Sequence, residues 1–225
     1  MLQAIAPNIW HLQHAFTVGG LRISSRMTVV RFRNNKLWLH SPVPLSAEVR
    51  AQLSSLGEVA YVVAPNKLHH LFVGDCMAAF PQAKLFGAPG LSEKRTDLKG
   101  MQELSPTIES EWQEELDQVF FGGIPFGNET VWYHKLSRTV ILTDVCQWWQ
   151  GELSFGAKLF ASFNGVRNKL VVPRSIRMLV KDRNAAQASA RKILQWPLER
   201  VVLAHNAIVE DNAYTALKEA LDYFG

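Results

Sequence analysis

The chain has 225 residues, 48% hydrophobic and 20% charged, with 24 basic residues against 20 acidic ones for a net charge of +4. A chain of this length buries roughly 70% of its extended surface on folding, so a full core forms without disulfide staples and a wholly disordered chain is excluded. The two cysteines, Cys76 and Cys146, make neither a disulfide framework nor a CxxC pair, which points to a reducing, cytoplasmic setting.

No basic stretch followed by an apolar run opens the sequence, and no apolar run approaches about 18 residues, so neither a secretory signal nor a transmembrane segment is expected. Repeats, low-complexity tracts and Gly/Ser linkers are absent, which predicts a single domain over 1–225.

In chain order, residues 26–35 alternate apolar and polar side chains and end at Asn34-Asn35, a strand closed by a tight turn. A second strand, KLWLH, stops before Pro42. Residues 46–57 form a predicted helix with Ser46 as N-cap and Gly57 as its stop. The β-branched run 59–65 predicts a buried strand, 71–81 a helix and 83–89 a short strand. Three further strands are expected at 117–121, 129–134 and 138–143. A helix at 183–196, a buried strand at 199–206 and a terminal helix at 211–225 complete the chain. Strands opening each half and helices closing it predict an αββα sandwich of mixed α/β or α+β class. His11 and His14 fall in what reads as an irregular strand and are expected at the surface.

Polar side chains at strand ends are where such folds place chemistry. Three β-branched runs end this way: YVVAPNKLHH with His69 and His70, TVILTD with Asp144, and RVVLAH with His205. Imidazole and carboxylate together are a ligand set for zinc or iron(II). Each residue alone also has an ordinary reading, as a turn former, a helix cap or a surface histidine. His134 and His40 read as half-exposed strand residues, with His134 open to an orienting role.

The quoted segments carry a resemblance. LWLHSP (37–42), APNKLHHLFVGD (64–75), WYHKLSRTVILTD (132–144) and VVLAHN (201–206) resemble a branch of unknown function within the metallo-β-lactamase superfamily. The resemblance implies a four-layer αββα sandwich that typically binds two zinc ions. It also implies that Pro65 and Lys67 stand where the first metal site has histidines, and that no histidine occurs in 122–128 where a third is expected. The positions of the second site are then His69, His70, Asp144 and His205, all able to bind a metal. A lysine in the vacated first site would repel a second divalent ion and could meet an anionic substrate instead. One ion is therefore expected, zinc or iron, with a metal-free degenerate member as the alternative.

The function expected is a metal-dependent, hydrolase-like enzyme acting on a small molecule, with His69 or His134 as base and Lys67 binding substrate. The competing reading is a non-catalytic module that binds an anionic ligand through Lys67 and the basic segment 156–183. That segment carries Lys158, Arg167, Lys169, Arg174, Arg177, Lys181 and Arg183 against Asp182 alone. It reads as a solvated face, or as a site for an anionic partner or membrane surface. It has no nucleic-acid-binding motif, so nucleic acid is not expected as a partner. The absence of a GxSxG elbow, a GxGxxG turn and a P-loop speaks against serine hydrolases and nucleotide cofactors. Substrate and oligomeric state are not readable from these residues.

Overall fold

Alternation of apolar side chains along the strands decides the layers. A computed structural model describes residues Met1–Gly225. The first half runs β1 (Gln3–Ala6), β2 (Ile9–Val18), β3 (Leu21–Arg31), β4 (Lys36–His40), α1 (Ala47–Leu56), β5 (Glu58–Ala64), α2 (Val73–Ala79), β6 (Lys84–Gly87), α3 (Leu91–Lys94) and β7 (Gln102–Glu103). Its seven strands lie side by side in sequence order, antiparallel from β1 to β4 and parallel from β4 to β7.

The second half adds β8 (Leu116–Phe120), β9 (Thr130–His134), β10 (Thr139–Leu142), α4 (Phe155–Asn164), α5 (Arg174–Met178), α6 (Arg183–Ile193), β11 (Arg200–Leu203), β12 (Ile208–Val209) and α7 (Ala213–Leu221). The order in this sheet is β12-β11-β10-β9-β8, with β10 and β11 parallel.

Val29, Leu39 and Val62 leave the first sheet on one side and pack with Val49 and Leu53 of α1 and Val73 and Cys76 of α2. Their neighbours Val30, Trp38 and Val63 point the other way and meet Trp132 and Ile141 of the second sheet. Val131, Val140 and Leu203 leave that sheet outward, onto Ala190 and Ile193 of α6 and Leu217 of α7. Strands with a period of two therefore separate three apolar layers, and the αββα sandwich follows. Large rings fill the space between the sheets, with the Trp38 and Trp132 centroids 5.3 Å apart.

The first two strands correct the sequence reading. β2 is a regular ten-residue strand paired along its whole length with β3, and Gly19-Gly20 is the hairpin turn joining them. Both glycines have positive φ, +55° and +78°, as a two-residue turn matched to strand twist requires. His11 is half-buried, facing Arg26 at 3.2 Å, while His14 lies edge-on to Phe72. The predicted turn at Asn34-Asn35 forms, with Asn35 in the left-handed region at φ 61°.

Candidate metal centre and its cleft

The parallel strands all end at one edge, and the polar residues that follow them meet there. Ser41 follows β4, Asn66 and His69 follow β5, Asp144 follows β10, and His205 follows β11. The loop after β5 is shaped by Asn66, whose Oδ1 accepts from the backbone N–H groups of Leu68 and His69 at 2.9 and 2.8 Å. Its Nδ2 donates to Thr143 Oγ1 at 2.9 Å and Asp144 Oδ2 at 2.7 Å, joining the two sheets' loops. Glu129 holds the loop after β10 from beneath, accepting from the backbone N–H groups of Thr143, Asp144 and Val145. Burial and the nearby Asp144 charge raise the Glu129 pKa despite these bonds.

His69, Asp144 and His205 converge. His69 Nε2 lies 3.3 Å from Asp144 Oδ2, His205 Nε2 lies 3.2 Å from Asp144 Oδ1, and the two Nε2 atoms are 3.3 Å apart. The outer nitrogens are engaged elsewhere. His205 Nδ1 donates to the Ser24 carbonyl at 2.6 Å, and His69 Nδ1 pairs with Ser41 Oγ at 2.8 Å. A carbonyl only accepts, so the proton of neutral His205 sits on Nδ1 and its Nε2 lone pair faces inward. Two inward nitrogens and a carboxylate at these separations repel one another unless a proton or a cation lies among them. Burial opposes charge on His205, but the bond and charge of Asp144 outweigh it and raise its pKa. Burial likewise opposes charge on Asp144, and the facing imidazoles nonetheless hold it well below the usual carboxylate range.

The donor set fits a metal. A tetrahedron with bonds of about 2.0–2.1 Å has edges of about 3.3–3.4 Å, close to the three separations seen here. Ser24 and Ser41 supply the outer hydrogen bonds that orient ligating imidazoles, and Gln147 Nε2 donates to Asp144 Oδ1 at 3.0 Å.

Three expectations for site residues change. His70 turns away from the three converging atoms, its Nδ1 3.0 Å from Arg95 Nη1 and its carbonyl accepting from the same nitrogen. Adjacent residues in an irregular loop need not share a direction, and here they diverge. His134 pairs with Thr139 at the start of β10, whereas Asp144 follows that strand's end. Five residues of extended chain put it about 16 Å from Asp144, too far to act as base there. It is buried and bonded to Ser137 Oγ at 2.7 Å. The lysine of the cleft is Lys94, not Lys67. Lys67 Nζ lies against Gly90, while Lys94 lines the cleft and donates to the Lys67 carbonyl at 2.9 Å.

The cleft over the three ligand atoms has a volume of about 410 Å³. Phe16, Val18 and Ile23 of the β2–β3 hairpin form one wall, and Leu68, Leu71 and Phe72 another. It offers an apolar body with Lys94 at its rim and the His69–Asp144–His205 cluster at its floor. His40, expected to be half-exposed, is fully buried between Trp38 and Trp132, with neither ring nitrogen hydrogen-bonded. Cys146 packs in the outer core beside α6 and α7, where burial pushes its thiol pKa up.

Residues 6–153 match the family described as a domain of unknown function, DUF4336. The chain belongs to that family. No curated protein matches it in sequence. Solved structures show the same fold. The metallo-β-lactamase from Pontibacter korlensis aligns over 99% of this chain and 98% of its own at TM-score 0.66 and 11% identity. That from Hirschia baltica aligns over 98% and 97% at TM-score 0.65 and 9% identity. The FIM-1 enzyme from Pseudomonas aeruginosa, in a mono-zinc form, aligns over 99% and 95% at TM-score 0.64 and 10% identity. The chain therefore has the metallo-β-lactamase fold.

Sequence reasoning missed Asn66, Glu129, Ser41 and Lys94. The signal for Asn66 was its place directly after a strand-ending proline, where an Asx turn is common. Glu129 carried the weaker signal of a lone carboxylate opening an otherwise apolar strand.

Proposed function

We propose that this DUF4336 protein is a single-domain, metal-dependent hydrolase-like enzyme of the cytoplasm that holds one ion, zinc first, on His69, Asp144 and His205. The observation that carries this reading is the set of 3.2–3.3 Å separations among the three ligand atoms. A bound divalent ion supplies Lewis acidity toward a carbonyl or phosphoryl oxygen and brings the pKa of a bound water toward 7. The chain's own residues do the rest. Ser41 and Ser24 fix the two imidazoles, Asn66 and Gln147 fix the carboxylate, and the hairpin and the 68–72 loop exclude water around an apolar substrate. Lys94 receives an anionic group at the rim. Two buried, unpaired cysteines suit a reducing compartment.

A second reading, a binding module for an anionic ligand, is favoured by the fact that the cleft holds no acid or base beyond the three ligand residues, His70 and Lys94. Metal-loaded and chelator-treated protein, assayed on esters, thioesters and amides that combine an apolar acyl group with a carboxylate, separates the two. Turnover that chelation abolishes and His205→Ala lacks supports the enzyme. Saturable binding of the same compounds without turnover supports the module.

A further inference from the structure

Helix α4 is turned inside out relative to an ordinary surface helix. Its buried residues are Ala157, Ala161 and Asn164, the two alanines packed with Trp149 and Val166 near Leu21 and Ile23, and Phe160 leans on Trp149 at the edge of this face, ring centroids 5.3 Å apart. Its large apolar residues point outward: Phe155 is 85% exposed, Leu159 64% and Phe163 63%. At spacings of four they share one face of the helix. Arg174 Nη1 donates to the Phe163 carbonyl at 3.1 Å, which sets α5 at the end of this stripe. On α5, Met178 is 69% exposed and lies one turn from Arg174. Large apolar side chains gathered on one exposed helix face in this way mark an interaction face.

The charges around it say what it meets. No acidic residue occurs between Glu152 and Asp182, while Lys158, Arg167, Lys169, Arg174, Arg177 and Lys181 all do. Among these six, Lys169 alone forms an ion pair, with Glu219 at 3.1 Å. Arg177 lies over the Tyr223 ring. A second copy docked through the same patch by a two-fold axis would bring these like charges together, which opposes self-association. A surface that is both apolar in depth and negatively charged on top satisfies both features.

We propose that α4 and α5 form a peripheral docking face for anionic phospholipid membranes. Phe155, Leu159 and Phe163 seat at the boundary of headgroups and acyl chains, and Lys158 and Arg174 meet the headgroups. A helix with aromatic and leucine residues on one face and basic residues beside it lies in the membrane interface in this way. The assignment is independent of the metal reading.

The test is flotation of the full chain with vesicles of phosphatidylcholine alone and of phosphatidylcholine mixed with phosphatidylglycerol. The protein should float with the mixed vesicles and not with the neutral ones, and rising salt should weaken the interaction. Phe155→Ser combined with Phe163→Ser should weaken it by roughly tenfold or more, as should Lys158→Glu, because both the apolar and the charged contributions are needed. All three positions are exposed, so far-ultraviolet circular dichroism of the variants should match the parent. Failure to float with either vesicle overturns the proposal, as does flotation that both variants retain. A dimer in sedimentation that the double serine variant dissolves would also overturn it, placing a second copy on the face instead.

Discussion

Asn66 Nδ2 donates to Asp144 Oδ2 at 2.7 Å, so one buried amide ties the loop after β5 to the loop after β10 across the two sheets. The same side chain accepts the backbone N–H groups that shape the His69 loop. Asn66→Ala leaves those backbone groups without their side-chain acceptor and takes one of the donors from the carboxylate, which keeps Gln147. It should cost about 2–4 kcal/mol in urea unfolding of metal-free protein. It should also weaken zinc binding by about 10–100-fold. A variant with unchanged zinc affinity would separate the loop from the site.

Lys94, at the rim of the cleft, should matter for anions and not for the metal. Lys94→Ala is expected to lower affinity for a hydrophobic carboxylate such as 2-naphthoate by about fivefold, the size of one exposed charge-assisted contact. Lys67→Ala should leave that affinity unchanged, because its ammonium lies against Gly90. Calorimetric titration of both variants reads the difference. Equal losses, or a loss confined to Lys67→Ala, would place the anion elsewhere.

His134 makes stability depend on pH away from the site. Burial lowers its pKa to about 4 in the folded chain, whereas an unfolded imidazole titrates near 6.5. Between these values the unfolded chain takes up a proton that the folded chain refuses. Stability from this source is therefore complete above about pH 6.5 and falls toward pH 4, by on the order of 3 kcal/mol. His40, also held below its ordinary value by burial and by His69, acts in the same direction. Urea midpoints of metal-free protein at about pH 7 and about pH 5 should differ clearly in the parent and less in His134→Gln. An identical pH slope in the variant would contradict the assignment.

The layers were legible because burial imposes a period of two on every central strand, and runs such as those ending in Asp144 and His205 show both the strand and its polar end. The hairpin of β2 and β3 was obscured by His14, a polar residue that takes an apolar place between Leu12 and Phe16 in the alternation of a half-exposed strand. Direction within a loop is not written in spacing: His69 and His70 are adjacent, yet one meets Asp144 and the other Arg95. Lys94 could not be placed because the turn from β6 into α3, not proximity in sequence, brings it to the cleft. The apolar face of α4 was hidden by its composition, since FGAKLFASFN does not say that its alanines, rather than its phenylalanines, face inward.

The central claim is that His69, Asp144 and His205 form one metal site. Purified protein given excess zinc and then freed of unbound ion should retain one zinc per chain by elemental analysis. Asp144→Ala should retain none while keeping the parent's circular dichroism, because the core does not depend on the site. Zinc-free parent protein after this treatment, two ions per chain, or an Asp144→Ala variant that keeps its zinc would contradict the account.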